Sequence, residues 1–199
     1  MKSVFILTGL AVAAVSAVSL VAAGQAAPLK IVSARITVTG TTNVHGYTAS
    51  TSTVKLTSAK TGAFDGDLWS LVQRPALLES FDIAIPAVSL KSPKDGIDKN
   101  MHKALKTDTF ADITFRMKSM AKNGSGLRAL GTLTIAGVSK EITLDLTALR
   151  SGSNLSVAGD VPLVMTDYGI TPPKAMMGMM RTDPKITLRI ELVLAAASS

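Results

Sequence analysis

Residues 112–146 read DITFRMKSMAKNGSGLRALGTLTIAGVSKEITLDL. Within this stretch, apolar residues recur at every second position in three runs, a pattern typical of strands with one buried face. The repeating positions are Ile113, Phe115, Met117, Ala129, Gly131, Leu133, Ile135, Ile142, Leu144 and Leu146. Short glycine-containing segments at 123–126 and 136–140 separate the runs and are typical of hairpin turns. The stretch therefore predicts three consecutive antiparallel strands.

Weaker alternating runs on both sides extend this predicted sheet. They lie at residues 36–38, 47–57, 81–85, 157–165 and 186–194. No segment has the pattern of a long helix, and turn residues separate about eight short strands. We therefore expect an all-β fold with one or two short helices, in which an antiparallel sheet closes on itself as a barrel.

The clearest helical pattern lies just before the three-strand stretch. Residues 98–115 read DKNMHKALKTDTFADITF, in which Met101 and Leu105 are four positions apart with lysines between them. The pattern then changes to the strand alternation of Ile113 and Phe115. A short helix is therefore predicted to lead directly into a strand.

Four segments of the sequence resemble the YceI-like family. Residues 131–140 (GTLTIAGVSK) meet the family pattern G-x-L-T-I-x-G-V-[ST]-[KR] without a gap. Residues 40–47 (GTTNVHGY) are similar to G-T-S-x-V-H-[DG]-[WYF], and residues 167–173 (DYGITPP) are similar to D-[FY]-G-I-x-P-P. Residues 98–115 resemble the family's Met- and His-containing turn followed by an I-x-F strand. The resemblance covers residues 36–194.

The resemblance implies a lipocalin-like barrel, in which some family members enclose a long polyisoprenoid chain. A barrel of about eight strands is wide enough either to fill with side chains or to hold one slender ligand. Alternation shows which face is buried but not whether the interior is full. The residues expected to line the interior are Phe81, Ile83, Ile113, Phe115, Leu133, Ile142 and Leu144. The candidates for polar contacts with a ligand are His45, Tyr47 and His102.

A cluster of methionines follows the proline pair at 172–173. Its members are Met176, Met177, Met179 and Met180. Unbranched, adaptable side chains suit a lid or rim that repacks around a ligand tail. Soft thioethers also suit Cu(I), so a copper-binding loop is the competing interpretation. We favour the apolar rim, because the corresponding family segment is apolar but not specifically methionine.

The sequence offers no constellation for catalysis. The chain has two histidines, His45 and His102, and a zinc site would need carboxylates such as Asp98 or Asp108 as further ligands, for which no ligand spacing is present. No G-x-S-x-G motif frames a serine, and the absence of cysteine excludes a thiol nucleophile. We therefore expect a protein that is not an enzyme and that carries no cofactor or metal.

The composition and net charge of the chain limit the classes of partner that we expect it to bind. The chain has 199 residues, no cysteine and a formal net charge of +7. A single domain without disulfides must be held together by its core. The excess of basic over acidic residues favours anionic partners, so an anionic membrane surface is a candidate partner. Scattered lysines and few aromatics provide no platform for stacked bases, so nucleic-acid binding is not expected. The sequence leaves the oligomeric state open, and a homodimer is one of the alternatives.

The N terminus has the features of an export signal. One lysine, Lys2, precedes an apolar run over residues 4–21, and small residues follow it. We predict a signal peptide over residues 1–26, with cleavage after Gly24 as one alternative and an uncleaved anchor as another. No cysteine follows the run, which excludes a lipoprotein anchor. A YceI-like domain would then span residues 27–199 of a periplasmic or secreted protein.

Two functional hypotheses of different classes follow. In the first, the protein is an exported carrier that sequesters a long apolar molecule, an isoprenoid or fatty acyl chain, inside the barrel. In the second, it is an envelope stress or structural factor that has a filled barrel and acts through its surface. The two hypotheses differ in whether the interior of the barrel is hollow.

Overall fold

The described part of the protein, residues 29–197 of a computed structural model, is an antiparallel sheet curved into a half-barrel with two short α-helices. The predicted signal peptide lies outside the described residues. The strands are β1 (Leu29–Thr42), β2 (Gly46–Thr51), β3 (Lys55–Thr61), β4 (Leu78–Pro86), β5 (Asp112–Asn123), β6 (Gly126–Ile135), β7 (Val138–Ser151), β8 (Asn154–Val164), β9 (Lys174–Ala175) and β10 (Met180–Ala196).

Nine of these strands form one continuous path. Their order across the sheet is β2-β1-β10-β8-β7-β6-β5-β4-β3, and the short β9 pairs with β10. All the pairings are antiparallel. The predicted all-β, lipocalin-like fold is confirmed. The structure adds a ninth strand to the path, because the strand predicted over residues 47–57 is two strands, and a tenth, β9, in a segment that was not predicted as a strand.

The three strands predicted from residues 112–146 are β5, β6 and β7, and tight hairpins connect them. Ile135 pairs with Val138 across the second hairpin, so its loop has only two residues. Those residues, Ala136 and Gly137, have φ angles of 49° and 81°, as a type I′ turn requires. The ring of Phe110 also lies against Gly137, where an added Cβ would be 2.5 Å from its Cζ atom. Glycine is therefore required here by both the turn and the packing.

The prediction of one strand over residues 47–57 was wrong. The chain forms β2 up to Thr51 and then crosses to β3, which lies at the opposite edge of the sheet. The buried Thr51 hydroxyl ends β2: its Oγ1 lies 2.8 Å from Ser89 Oγ and accepts a hydrogen bond from the Thr53 backbone N–H at 3.0 Å. A threonine-rich run has high β propensity throughout, so composition alone gave no sign of this break.

The two α-helices close the two ends of the half-barrel. The first, α1 (Trp69–Gln73), lies in a segment without a clear sequence pattern and buries Leu71 and Val72 at what we call the closed end. The second, α2 (Asp95–Leu105), confirms the predicted helical turn and covers the other end, which we call the mouth. Within residues 29–197, neither helix is long and apolar enough to cross a bilayer.

The buried core is the inner face of the sheet. Alternate positions of every long strand point inward and join the buried residues of α1 in one apolar cluster. This arrangement follows directly from the period of two in the sequence, because successive side chains of a strand point to opposite faces. The inner face is therefore apolar from the closed end to the mouth.

Candidate functional site

A cavity of about 530 Å³ lies at the mouth, between α2 and the upper inner face of the sheet. Most of the surface of its wall is apolar. The strand residues that line it include Ile36, Val38, Ile85, Ile113, Leu133, Ile135, Leu163, Ile186 and Leu188. A volume of this size lies within the range of about 300 to 1,000 Å³ that is usual for small-molecule sites. The predicted barrel is therefore hollow at this end.

A second, smaller cavity of about 90 Å³ lies deeper in the barrel. It is lined by apolar side chains only, and Leu71 of α1 closes it at the bottom. Four residues belong to the walls of both cavities: Ile36, Ile85, Leu133 and Leu188. The two cavities therefore adjoin inside the barrel, the larger one at the mouth and the smaller one toward the closed end.

Helix α2 covers the large cavity with one face. Ile97, Met101 and Ala104 line the cavity, together with Asn100 and Leu105. These positions are spaced three or four residues apart, so they share one side of the helix. Part of the roof of the cavity is therefore a short amphipathic helix rather than a strand.

The adjacent face of α2 is held to the segment that follows β4. The Ser92 backbone N–H donates to Asp98 Oδ1 at 2.7 Å, and His102 Nε2–H donates to the Leu90 carbonyl oxygen at 3.0 Å. Lys91 Nζ lies 3.7 Å from Asp98 Oδ2. Burial alone would raise the pKa of Asp98, but the hydrogen bonds from Ser92 and the charge of Lys91 hold it below its ordinary value. The ionised carboxylate of Asp98 therefore anchors the helix.

Polar and cationic side chains form the rim of the cavity. They are Thr42, His45, Tyr47, Lys94, Lys174 and Thr182. Several of these side chains are exposed, so the large cavity reaches the protein surface. In the turn at 42–45, Thr42 Oγ1 accepts hydrogen bonds from the backbone N–H groups of Val44 and His45 at 3.1 and 3.0 Å. The conformation of this turn is therefore fixed by its own threonine.

Tyr47 lies across the backbone of Gly40. The two residues pair between β1 and β2, and an added Cβ at Gly40 would be 2.5 Å from Tyr47 Cζ. Burial, and secondarily the negative charge of Asp183, raises the pKa of Tyr47. Its hydroxyl therefore stays neutral at physiological pH and is available at the rim as a hydrogen-bonding group.

The methionine segment lies beside the rim, and Asn43 connects it to the turn at 42–45. Asn43 Nδ2 donates to the Met179 carbonyl oxygen at 2.9 Å, and the Arg181 backbone N–H donates to Asn43 Oδ1 at 2.8 Å. Met180 lines the cavity, whereas the side chains of Met177 and Met179 are exposed to solvent. The side chain of Met176 lies outside the described part of the structure.

The structure brings most of the predicted interior residues together. Ile113 lines the large cavity and Leu133 lines both cavities. The others line the small cavity: Phe81, Ile83, Phe115, Ile142 and Leu144. His45 and Tyr47 lie at the rim, but His102 does not line the cavity and is bonded to the Leu90 backbone. The role of all these residues in ligand binding stays a prediction.

Sequence reasoning missed the contribution of α2 and of strands β1, β8 and β10 to the large cavity. Ile97, Met101 and Leu105 follow one another at intervals of four, which is a readable signal for a helix with one apolar face. Only the fold shows that this face lies over a cavity. For metals, no group of three or more His, Asp or Glu side chains suitable for an ion occurs among residues 29–197.

Comparisons with known proteins identify the family of this chain. The model of the YceI-like domain matches residues 29–194. The chain belongs to the YceI-like family. This confirms the resemblance seen in the four sequence segments. No match was found among curated proteins.

Solved structures show the same YceI-like fold. BcnA from Burkholderia cenocepacia has a TM-score of 0.64 and 16% identity, with 80% of this chain and 95% of that chain covered. A polyisoprenoid-binding domain from Saccharophagus degradans, implicated in plant cell wall breakdown, has a TM-score of 0.62 and 13% identity over 87% and 100% of the two chains. A YCEI protein from Campylobacter jejuni has a TM-score of 0.52 and 21% identity over 74% and 85%.

Proposed function

We propose that this YceI-like protein is a carrier that binds one long apolar molecule, an isoprenoid or fatty acyl chain, inside its barrel. The observation that carries the proposal is the pair of adjoining apolar cavities, about 530 Å³ at the mouth and about 90 Å³ toward the closed end. A wide cavity that adjoins a narrow apolar one suits a slender chain better than a compact, rigid molecule. The hydrophobic effect supplies the affinity, at about 25 cal/mol per Å² of apolar surface removed from water.

Further support comes from the rim and from one of the structural neighbours. Tyr47 and the neighbouring polar side chains surround the entrance, where the polar end of an amphiphilic ligand would lie. The solved domain from Saccharophagus degradans is described as polyisoprenoid-binding. The hollow interior argues against the alternative of a filled barrel that acts only through its surface, because protein cores are normally packed without voids of this size.

The proposal includes export of the carrier to the periplasm or outside the cell. It rests on the lysine and the apolar run within residues 1–26. It treats the protein as a binding protein rather than an enzyme, since the small cavity is lined by apolar side chains only and no Asp or Glu lines either of the two described cavities. Cell fractionation combined with mass spectrometry of the mature N terminus tests the export.

Chain length is the variable that tests binding most sharply. Delipidated protein should be titrated with straight-chain alcohols and with prenols of increasing length, in competition with a fluorescent lipid probe. Each methylene that enters the barrel should strengthen binding by up to about 0.8 kcal/mol, and the gain should stop once the chain exceeds the interior. Affinity that does not depend on chain length would contradict the proposal.

A further inference from the structure

Two segments at the mouth carry many basic residues. We define the mouth collar as residues 91–106 and 174–185, which contribute α2 and the methionine segment to the wall of the large cavity. The collar contains eight Lys and Arg against three Asp and Glu, a net charge of +5. Residues 107–113 and 163–173, which also lie at the mouth, add the acidic residues Asp108, Asp112 and Asp167. The positive charge is therefore a local property of the collar, outside which the described residues carry a net charge of +1.

Exposed apolar side chains occur at the same end. Among the residues of the range 29–197 whose side chains are described, six large apolar ones are exposed: Val32, Val44, Val88, Leu149, Met177 and Met179. Three of them, Val44, Met177 and Met179, lie on the turn at 42–45 and on the methionine segment, and we call them the apolar tip. Each is at least 65% exposed.

Hydrogen bonds of Asn43 hold together the two loops that carry the apolar tip. Val44 follows Asn43, whose side chain bonds the Met179 carbonyl oxygen and the Arg181 backbone N–H. The Asn43 backbone N–H also donates to the Arg181 carbonyl oxygen at 3.0 Å. The two loops that carry the tip are therefore fixed against each other, and their exposed side chains form one surface beside the cavity entrance.

We infer that the mouth of the barrel docks on an anionic lipid bilayer, with the apolar tip inserted among the lipids and the mouth collar in contact with their headgroups. Exposed apolar side chains surrounded by cations are the combination that binds such an interface, since each Lys or Arg near an anionic surface contributes to attraction and each buried apolar group adds to it. A free protein partner would not by itself explain why the cations and the apolar side chains surround the entrance of a cavity. Docking in this orientation places the entrance directly at the membrane.

This inference goes beyond the proposed function, because docking needs no cargo. The test is cosedimentation of the protein, as isolated from its native host, with vesicles of phosphatidylcholine alone or mixed with phosphatidylglycerol. We expect binding to the mixed vesicles that weakens as salt is added, and much weaker binding to the neutral ones. Equal binding to the two kinds of vesicle, or none to either, would overturn the inference.

Paired variants locate the contact. Removing three collar charges (Lys99→Gln, Lys103→Gln and Lys185→Gln) should weaken binding to the mixed vesicles by about tenfold or more. The matched control removes three exposed lysines near the closed end (Lys30→Gln, Lys60→Gln and Lys122→Gln), so it has the same net charge and should bind like wild type. If both triple variants lose affinity equally, the interaction depends on overall charge and the docking surface is refuted.

A second pair of matched variants tests the apolar tip. Replacing Val44, Met177 and Met179 by serine should weaken binding to the mixed vesicles by several-fold, whereas serine at Val32 and Leu149, which are exposed near the closed end, should not. All of these side chains are exposed, so thermal unfolding should be nearly unchanged and loss of folding is separable from loss of docking. If wild type self-associates in the absence of vesicles and the tip variant does not, the partner of the tip is a second copy of the chain. That result would overturn the inference.

Discussion

Two alanines on the inner wall allow the same substitution to be made at two depths of the barrel. Ala104 lies on α2 over the large cavity, and Ala129 lies on β6 beside the small one. Ala129→Phe overfills the narrow end and should cost about 1 to 3 kcal/mol in the free energy of unfolding. Ala104→Phe enters open space and should cost less than about 1 kcal/mol while it weakens binding of a fluorescent lipid probe. Urea unfolding and probe titration measure the two effects.

The comparison between these two variants separates a hollow barrel from a filled one. If the two substitutions destabilise the protein equally and neither affects probe binding, the cavity at the mouth is not a ligand site. At the residue scale, the sequence already placed Ala129 on an inward-facing strand position, because alternation fixes the face of each side chain. It could not show that Ala104 faces empty space, since that depends on the distance between α2 and the sheet.

At the scale of elements, the attachment of α2 is the feature most open to test. The pKa of Asp98 is held below its ordinary value of 3.8, so the folded state favours the ionised carboxylate. The stabilising contribution is therefore present above about pH 4 and is lost as the pH falls through the lower, folded-state pKa. Asp98→Asn should reduce the free energy of unfolding by about 1 to 3 kcal/mol at pH 7. The difference from wild type should shrink on acidification below pH 3.8.

The control for this prediction is Asp95→Asn, which changes an exposed carboxylate in the first turn of the same helix. Urea unfolding at a series of pH values gives the free energies for all three proteins. A difference between wild type and Asp98→Asn that is independent of pH would show that the carboxylate does not anchor α2 through its charge.

The methionine segment gives the second prediction for an element. Met180 lines the cavity, whereas Met177 and Met179 face solvent. Met180→Ser should therefore weaken lipid binding, by up to about 1.5 to 3 kcal/mol if its apolar contact is lost completely. The double substitution of Met177 and Met179 by serine should leave the solution affinity for lipid unchanged. Equal effects of the single and double variants would contradict the assignment of Met180 to the wall.

Replacing all four methionines by leucine separates the rim from the copper interpretation. Leucine keeps the apolar character and about the same volume, so lipid affinity should change little, while every thioether is removed. Wild-type protein should not compete with a chromogenic chelator for Cu(I). If wild type competes with the chelator for Cu(I) and the leucine variant does not, the result would favour a copper site instead.

The sequence predicted elements well where side-chain periodicity determined them. The hairpins of β5, β6 and β7 follow from alternation and from glycine at turns such as Gly137, which are local properties. The separation of β2 from β3 was not predictable, because it depends on the contact between Thr51 and Ser89, which are far apart in the sequence. The short α1 was missed for a related reason: a helix of five residues is stabilised by tertiary packing rather than by its own propensity.

At the scale of the whole molecule, the sequence predicted a barrel but left its interior open. A filled and a hollow barrel have the same alternating pattern, since both bury one face of every strand. The difference lies in the width of the sheet and in the position of α2 over the mouth, which are properties of the assembled fold. The same holds for the charge of the mouth collar, because residues 91–106 and 174–185 meet only in three dimensions.

The central claim, that the barrel carries a long apolar molecule, is tested most directly by measuring the mass of the intact protein. Native mass spectrometry of protein purified from its own host should show a mass above that of the mature polypeptide. Organic extraction should remove the difference and release a lipid or isoprenoid that restores it on readdition. Protein that has the mass of the polypeptide alone, and that also fails to bind added lipid probes, would contradict the account.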